Sequence, residues 1–379
     1  MEYQWVATAQ QLMPIIGKLE QSTLNALDTE FIKVDTLYPK LGVLQINVNQ
    51  QVYLIDGQLD LTPLWDSLFA APLNVFHACG EDIDLIYHYA KQRPLSNVLD
   101  TQMAMAFLGY GRQLSYQAAL EKILAIHVEK DQTRSDWLAR PLSVQQERYA
   151  AIDVYYLRDL AQRLIAELKE KKLYAFLQED CQNYCAELAK QVTLEDAYLD
   201  VANFRHSPRQ LMQLQQLAAW REMMAIRLNQ PRSFILKNQI MQKLVERTPR
   251  TLHRLIADYE LKPHILRQYG DEILKHLNEL PDSAQYPQRL ARPYRFRHEQ
   301  TKYALEKKMQ QVSEMLGIPV DVLMRKKWLN QLVNWVVGQK QDKMLLSPYL
   351  LGWRYEILTL PLLEIIRADV SVQSGVYES

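Results

Sequence analysis

Hydrophobic and polar residues alternate over short stretches in the first part of the chain. Three runs rich in apolar and β-branched residues read TLNALDTEF, GVLQINV and QVYLIDG, with Pro39, Gly42 and a polar NQQ segment between them. Alternation bounded by turn residues is typical of consecutive β-strands. The stretch LTPLWDSLFA then predicts a helix, LNVFHA a further strand, and EDIDLIYHYAKQ, after Gly80, another helix.

Helical periodicity dominates the rest of the chain. The best marked helix begins at Ser143, where SVQQ resembles a capping box and apolar residues recur at steps of three and four from 150 to 168. Strands followed by helices favour a mixed sheet with helices packed on it. Beyond about residue 201 only helical patterns remain, and Ser207 with Pro208 marks the start of an amphipathic helix.

These patterns predict three domains. An α/β domain with a mixed sheet flanked by helices covers residues 1–200, and an all-α domain covers 201–285. The Pro-containing segment PDSAQYP leads into a second all-α domain at 286–379. A length of 379 residues suits two or three domains, and 48% hydrophobic with 23% charged residues argues against a disordered or fibrous chain.

The cysteine content and the hydropathy of the chain indicate the cellular compartment in which the protein is expected. Cys79, Cys181 and Cys185 form no C-x-x-C pair, and so sparse and odd a count favours a reducing environment. The sequence has no signal-peptide pattern at its start and no run of about eighteen uncharged apolar residues. We therefore expect a cytoplasmic protein with no membrane partner.

Charge is divided unevenly along a chain whose net charge is zero. Residues 1–200 contain 27 Asp and Glu against 17 Lys and Arg, a net charge of −10, and the other 179 residues carry +10. Such asymmetry predicts an acidic module joined to one that attracts polyanions, although solvated charged faces are the alternative.

Three short stretches carry acidic residues suited to chemistry. Asp28 and Glu30 share one face of the first predicted strand, where two carboxylates repel each other and a hard divalent cation would relieve the repulsion. Asp82 lies in the first turn of a helix, a position that the helix dipole alone would favour. Tyr149 and Asp153 are four residues apart on one helix face, where packing is the ordinary explanation.

Taken together, the order and spacing of these residues resemble the DEDD exonucleases of the tyrosine subclass. Their pattern is D-x-E in a first strand, an Asp about fifty residues later and Y-x-x-x-D in a late helix; HACGEDI, LDTQ, SDWLARPL and YAAIDVYYL extend the likeness. The helical half resembles two HRDC domains in tandem, the second degenerate. The resemblance implies a ribonuclease H-like exonuclease domain followed by two all-α HRDC-type domains. Ala125 departs from the family, which often has glycine there.

The resemblance also implies a cofactor and roles for the five residues. Two divalent ions, Mg²⁺ or Mn²⁺, would be held by the carboxylates. By similarity Asp28 bridges both ions, Glu30 and Asp153 complete the first site, and Asp82 supports the second through water. Tyr149 would orient the attacking water.

Three more polar residues are candidates for substrate binding. His77 lies at a strand end near the predicted metal site, although a structural role is the commoner one for such a histidine. Gln45 on the second strand is a candidate contact for the 3′ nucleotide, with packing as the equal alternative. Arg140 in WLARPL suits a phosphate contact.

The resemblance implies a monomeric 3′-to-5′ exoribonuclease that releases 5′-monophosphates from RNA 3′ ends, with tRNA precursors as the substrate class. A DNA exonuclease of the same superfamily and a non-catalytic RNA-binding protein are the alternatives. The lack of helicase or polymerase motifs favours RNA, and the intact set of five residues favours catalysis. Candidate RNA contacts in the basic half, any of which could instead be solvated surface, are Arg205, Arg209, Lys237, Lys243, Arg292, Arg295 and Arg297.

Overall fold

The computed structural model describes residues 1–128, 135–190, 192–259, 261–292, 296, 299–338 and 342–374. These residues form two compact units. Unit 1 comprises Met1–Ile32, Lys40–Lys190 and Pro293–Ser379, and unit 2 comprises Lys33–Pro39 and Gln191–Arg292. The second predicted all-α region thus lies in the same compact unit as the α/β region, and the division into three domains stays a prediction.

Unit 1 contains a mixed six-stranded sheet. Its strands are β1 (Tyr3–Val6), β2 (Asn25–Ile32), β3 (Lys40–Val48), β4 (Gln51–Asp56), β5 (Asn74–Phe76) and β6 (Val98–Asp100). The spatial order is β1-β4-β3-β2-β5-β6. β2, β3 and β4 pair antiparallel, whereas β1, β5 and β6 join their neighbours in parallel. The predicted mixed sheet is confirmed, and the patterns that the sequence analysis used did not find the short strands β1 and β6.

Helices make up most of the remaining structure. The first part of unit 1 has α1 (Ala9–Gln21), α2 (Thr62–Ala70), α3 (Gly80–Tyr89), α4 (Thr101–Phe107), α5 (Tyr116–Leu124), α6 (Val144–Tyr155), α7 (Leu157–Glu170) and α8 (Tyr174–Ala189). Unit 2 has α9 (Pro208–Leu228), α10 (Arg232–Ile235), α11 (Asn238–Glu246), α12 (Leu252–Asp258) and α13 (Pro263–Asn278). The last part of unit 1 has α14 (Glu299–Leu316), α15 (Val320–Leu323), α16 (Lys326–Val337), α17 (Pro348–Leu351) and α18 (Leu360–Ser374).

Single turns complete the architecture. Tight 3₁₀ turns lie at Ala197–Asp200, Ser283–Gln285 and Lys343–Leu345, and a π turn at Tyr355–Thr359 leads into α18. Among the described residues, none of the helices combines the length and the apolar character that crossing a bilayer would require.

Two predicted helix starts are confirmed, and one predicted helix is divided. Ser143 and Ser207 each cap their helix with a complete capping box, at α6 and α9. The apolar pattern from 150 to 168 does not form one helix, however, because α6 ends before Tyr156 and α7 begins after it. The Asn47 side chain donates to the carbonyl oxygens of Val154 and Tyr155, at 3.1 and 3.0 Å, and so satisfies acceptors at the end of α6.

The departure at Ala125 has a structural meaning. Ala125 ends α5 in the left-handed conformation, with φ of 56° and ψ of 33°. An L-residue with a Cβ pays a steric cost there that glycine avoids, which is why glycine is the preferred residue after a helix end.

Different helices cover the two faces of the central strands. On one face Leu27 and Ile46 pack with residues of α1, α2 and α3 in a continuous core. On the other face Val43 and Leu54 pack against Ala150 and other residues of α6. The second face is the one from which Asp28 and Glu30 project, so α6 lies directly over these carboxylates.

A third core joins the first and last parts of unit 1. It combines buried residues of α4, α5, α7 and α8 with buried residues of α14 to α18. Within this junction the Arg354 guanidinium, 0% exposed, holds the Asp180 carboxylate through two hydrogen bonds of 2.6 and 2.7 Å. Arg354 also stacks on Trp353 at 4.0 Å from the ring centroid. The last helices are therefore an integral part of unit 1.

The buried pair gives a prediction about stability. Arg354→Leu leaves the Asp180 carboxylate buried with the Trp353 indole N–H, 3.0 Å away, but with no cation to pair with, so the free energy of unfolding should fall by about 3–5 kcal/mol in urea denaturation. A double variant with Asp180→Leu should recover much of this loss, because no unpaired charge remains.

A salt bridge at the protein surface, between α16 and α8, serves as the matched control. Lys327 of α16 pairs with Glu187 of α8 at 2.7 Å, with both side chains about half exposed. Lys327→Ala should cost less than about 1 kcal/mol. Equal losses for Arg354→Leu and Lys327→Ala would contradict the importance of the buried pair.

Candidate active site

The first two carboxylates project from the middle of the sheet. Asp28 lies opposite Gln45 of β3, and Glu30 lies opposite Val43. The pairing of β2 with β3 shifts directly after Glu30, which ends the regular ladder beside the site. A central strand therefore holds both side chains on the face covered by α6.

The third carboxylate comes from α6. One oxygen atom each from Asp28, Glu30 and Asp153 can be chosen so that all three lie within 4.8 Å of one another. The Tyr149 side chain, one turn earlier on α6, lies close to Asp153 and lowers the pKa of its carboxyl group. The sequence-predicted D-x-E and Y-x-x-x-D pairs therefore meet at one place.

Asp82 reaches the same region from the start of α3. Its carboxylate accepts a hydrogen bond from the hydroxyl of Thr29, the residue between Asp28 and Glu30. Among neighbouring side chains, Asp82 also contributes most to the raised pKa of Asp28. Asp82 is buried, and it lies beside the trio of Asp28, Glu30 and Asp153.

Burial raises the pKa of every carboxyl group in the cluster, and repulsion adds to it, from other members of the cluster for Asp28, Glu30 and Asp153 and from Asp100 for Asp82. Burial is the largest cause for each. The pKa of Asp28 lies well above its usual value, and that of Glu30 is raised to about 9. The pKa of Asp153 rises to about 7, where the nearby Tyr149 limits the increase, and that of Asp82 rises to about 6, where the hydrogen bond from Thr29 limits it. Keeping all four groups ionised therefore requires nearby positive charge.

The donor set fits divalent metal ions. Its ligands are carboxylate oxygens only, the type that hard cations such as Mg²⁺ and Mn²⁺ prefer. A cation would also offset the repulsion that raises the four pKa values. Asp28, Glu30 and Asp153 are close enough to share one ion, and Asp82 offers a further carboxylate next to Asp28.

Asp100 and Thr29 were missed in the sequence analysis although they position the site. Asp100 accepts backbone N–H groups of Ala78, Cys79 and Gln102 at 2.9, 3.1 and 2.8 Å, which fixes the loop that leads into α3. Asp100 lies in LDTQ, one of the segments that resemble the exonuclease family, so the sequence did contain a signal for this residue. For Thr29 there was none, because alternation assigned it to the opposite face of β2.

His77 and Arg140 have partners within the protein. The ring nitrogens of His77 lie 2.9 Å from Thr101 Oγ1 and 2.9 Å from the Leu114 carbonyl oxygen. Arg140 donates twice to the Asp56 carboxylate, at 2.9 and 2.6 Å, and three times to backbone carbonyl oxygens. Because these bonds use all five of its N–H groups, Arg140 has no donor left for phosphate. The contacts favour structural roles, and substrate binding by either residue stays a prediction.

Gln45 is enclosed beside Asp28. It is 0% exposed, and neither its amide nitrogen nor its amide oxygen has a hydrogen-bond partner among the described residues. A buried amide with no partner is costly, so a polar group is expected next to it when the site is occupied. Because Gln45 is fully enclosed, its side chain is better placed to contact a group inside the carboxylate cluster than to contact a nucleotide directly.

Known proteins match this chain along nearly its whole length. A family model described as a 3′-5′ exonuclease matches residues 3–169, and one described as an HRDC domain matches 210–277. Ribonuclease D of Pseudomonas paraeruginosa is 33% identical over 375 residues, which cover 97% of this chain and 98% of that protein. Ribonuclease D of Psychromonas ingrahamii is 31% identical, with 94% and 98% covered. This chain belongs to the ribonuclease D family.

A solved structure agrees with this placement. The crystal structure of Escherichia coli RNase D, described as an exoribonuclease involved in structured RNA processing, matches with a TM-score of 0.88 and 27% identity, covering 97% of this chain and 99% of that one. The predicted exonuclease fold, the resemblance of the first all-α region to an HRDC domain and the enzyme class are confirmed: as a ribonuclease D family member, the protein is a hydrolytic 3′-to-5′ exoribonuclease. The second, degenerate HRDC domain stays a prediction. Divalent metal use follows at the family level and is consistent with the acidic cluster.

The raised pKa values predict how stability depends on pH in this ribonuclease D family member. Without metal, each carboxyl binds a proton more tightly in the folded than in the unfolded chain. Its contribution is therefore fully present below about pH 4 and is lost as pH rises through folded-state values of about 6 to 9. In EDTA, Tm should fall between pH 5.5 and 8.5, and Mn²⁺ should raise Tm more at pH 8.5.

Variants at the site provide the control for this experiment. Asp28→Asn removes one of the repelling charges, so the fall in Tm with pH should be shallower and the response to Mn²⁺ smaller. Glu81→Gln removes a charge from the exposed residue next to Asp82 and should behave like wild type. Equal Mn²⁺ responses at both pH values would contradict the prediction.

Proposed function

We propose that the enzyme trims RNA from the 3′ end by phosphodiester hydrolysis at the carboxylate cluster, releases nucleoside 5′-monophosphates, and acts on tRNA precursors. The observation that carries this proposal is the convergence of Asp28, Glu30 and Asp153 within 4.8 Å, with Asp82 beside them. Two divalent ions held by these residues would stabilise charge on the phosphate and on the leaving 3′ oxygen.

The protein residues are proposed to have separate roles. Asp28 is central, because it lies next to both Asp82 and the pair of Glu30 and Asp153, so it is suited to bridge two ions. Glu30 and Asp153 would complete one ion site, and Asp82 would support the other through water. The four groups would remain ionised with the ions bound, since positive charge offsets the repulsion.

Tyr149 is proposed to orient the attacking water molecule. Its ring packs against Trp137, with centroids 6.1 Å apart, and its hydroxyl lies close to Asp153. Burial and three nearby carboxylates raise its pKa, so the phenol stays neutral at physiological pH and keeps its proton as a donor. A neutral, positioned hydroxyl can orient a water for attack without serving as the base.

Family membership favours RNA over the two alternatives. A DNA exonuclease of the same superfamily would have the same carboxylates, so only substrate comparison separates the two. A non-catalytic RNA-binding protein would have no need for four mutually repelling carboxylates, which cost stability unless cations are bound. tRNA precursors are the proposed natural substrate. E. coli RNase D, whose structure this chain resembles, is described as an exoribonuclease involved in structured RNA processing, and this supports the proposal by analogy.

Removal of the central carboxylate is the main test. With 5′-labelled single-stranded RNA and Mg²⁺ or Mn²⁺, wild type should produce progressively shortened labelled RNA and nucleoside 5′-monophosphates, and EDTA should stop the reaction. Asp28→Asn conserves shape but weakens both proposed ion sites, so the rate should fall by about 10³-fold or more. Glu81→Gln, with the same charge change, should keep the wild-type rate.

Three outcomes would contradict the proposal. A folded Asp28→Asn variant that retains a tenth of the wild-type rate would exclude the metal assignment. Faster digestion of matched DNA than of RNA would favour the DNA alternative. A tRNA precursor with a 3′ extension that is left untouched, while unstructured RNA is trimmed, would remove the proposed substrate class.

The proposed role of Tyr149 has its own test. Tyr149→Phe keeps the ring and removes one hydroxyl, so turnover should fall by about 10²-fold while RNA affinity changes little. Tyr155→Phe is the matched control, since it removes a hydroxyl from the same helix at a residue that packs on the same core. Single-turnover rates at saturating RNA measure the difference. Equal rates for the two variants would show that Tyr149 only packs.

A further inference from the structure

The Gln45 side chain is buried in the layer between the sheet and α6. Gln45 lies on β3 directly opposite Asp28 of β2, and alternation along β3 puts Val43, Gln45 and Asn47 on one face. This is the face that α6 covers, since Val43 packs in the same core as residues of α6. Leu54, opposite Gln45 on β4, belongs to that core as well. The amide therefore projects into packed apolar surroundings next to the carboxylate cluster.

Other buried amides of unit 1 show how unusual Gln45 is. The amide nitrogen atoms of Asn25, Asn47 and Asn74 donate to backbone carbonyl oxygens at distances of 2.8 to 3.1 Å. Only the amide oxygen atoms of these asparagines lack a partner among the described residues. For Gln45 the nitrogen and the oxygen both lack one, so exchanging the two atoms would satisfy neither. The fold holds the three asparagine side chains but not the Gln45 amide.

Asn47 is the informative comparison, because it lies two residues further along the same strand and on the same face. Its nitrogen atom fixes the end of α6 to the sheet through the carbonyl oxygens of Val154 and Tyr155, which explains why an amide is present there. Gln45 is 0% exposed and has no such structural explanation. An apolar side chain of the same length would fill its position without leaving a buried polar group unsatisfied.

Asp28 lacks a side-chain hydrogen-bond donor, unlike two of its neighbours in the cluster. Asp82 accepts a hydrogen bond from the Thr29 hydroxyl, and Asp153 has the Tyr149 side chain close by. Among the described residues, no side chain donates to the Asp28 carboxylate. Directly opposed residues of antiparallel strands have Cβ atoms about 4.5–5.5 Å apart, so the amide on β3 is within reach of this carboxylate.

We infer that Gln45 is a positioning residue for Asp28. With divalent ions bound at the cluster, the Gln45 amide nitrogen donates a hydrogen bond to the Asp28 carboxylate, and the amide oxygen accepts one from a water molecule of the site. An ionised carboxylate has about four acceptor sites, so Asp28 can bind ions and accept this bond at the same time. Hydrogen bonds to a metal-binding carboxylate fix its orientation and thereby strengthen metal binding.

The inference rests on the proposed function, in which Asp28 is central to both ion sites. It goes further by giving a role to a residue that does not itself bind an ion. Two rival interpretations of Gln45 come from the sequence, namely contact with the 3′ nucleotide and simple packing.

The inference concerns unit 1 alone. The candidate RNA contacts that the sequence predicts in unit 2 stay predictions; they are Arg205, Arg209, Lys237, Lys243 and Arg292. The candidates Arg295 and Arg297 lie outside the described residues.

The test replaces the amide and measures two equilibria that require no cleavage. Gln45→Met keeps the length of the side chain and removes both polar atoms. In EDTA its Tm should equal or exceed that of wild type, because no unpartnered amide remains buried. Its Kd for Mn²⁺, from isothermal titration calorimetry of the full chain, should rise by about tenfold or more, the range expected when a metal ligand loses its hydrogen-bond partner. Gln45→Leu, also apolar and of similar volume, is a second variant with the same expected results.

Two control variants make the same kind of change elsewhere. Asn47→Leu removes the donor at the end of α6 and leaves two carbonyl oxygens without it, so its Tm in EDTA should fall. Gln58→Met makes the identical substitution at an exposed residue beyond the end of β4. It should leave both Tm and the Kd for Mn²⁺ at wild-type values.

Each rival interpretation predicts a different result for Gln45→Met. A nucleotide contact predicts an unchanged Kd for Mn²⁺ and weaker RNA binding, measured with Ca²⁺ to limit cleavage. A packing role predicts a lower Tm in EDTA and an unchanged Kd for Mn²⁺. Either result would overturn the inference, as would a variant that matches wild type in both quantities.

Failure of this inference and failure of the proposed function can be told apart, because Tm and Mn²⁺ affinity are measured without RNA. A wild-type protein that does not trim RNA, combined with weakened Mn²⁺ binding in Gln45→Met, would overturn the proposed catalysis and retain the positioning role. A wild-type protein that trims RNA, combined with equal Kd values for Mn²⁺ in wild type and Gln45→Met, would overturn the positioning role and retain the proposed catalysis.

Discussion

Repulsion among clustered, partly buried carboxylates is the constraint on which unit 1 depends. Asp28, Glu30, Asp82 and Asp153 come from a central strand and two helices, and charges within the cluster raise the pKa values of Asp28, Glu30 and Asp153. A surface cluster could relax by moving apart, whereas these groups are fixed by elements whose other faces are packed in the core. Part of the free energy of folding therefore goes into holding the carboxylates together, an arrangement that becomes favourable only when cations are bound.

Several polar contacts hold the elements in place around this cluster. The Asn47 side chain binds the carbonyl oxygens at the end of α6, so the helix that carries Asp153 is fixed to the sheet. Asp100 fixes the loop before α3 and hence Asp82. Arg140 ties the segment before α6 to Asp56 at the end of β4 and to the backbone of β3. None of these residues is one of the five proposed catalytic residues, yet each determines where one element lies.

The two helical regions differ in their relation to the exonuclease fold. Helices α14 to α18 share a core with α4, α5, α7 and α8, and the buried pair of Arg354 and Asp180 closes the junction. Their role is first of all structural. The helices of unit 2 have their own core.

The sequence by itself determined the mixed sheet and the helix starts at Ser143 and Ser207, because strand and helix periods fix which neighbours share a face. The five residues Asp28, Glu30, Asp82, Tyr149 and Asp153 were selected by their resemblance to a known family, and their roles stay a proposal. Only the tertiary structure decided which distant elements meet. The five donors of Arg140 are used within the protein, one pair by a carboxylate 84 residues away, and the last helices join the first unit. Such contacts depend on packing between segments far apart in the chain, for which local periodicity contains no information.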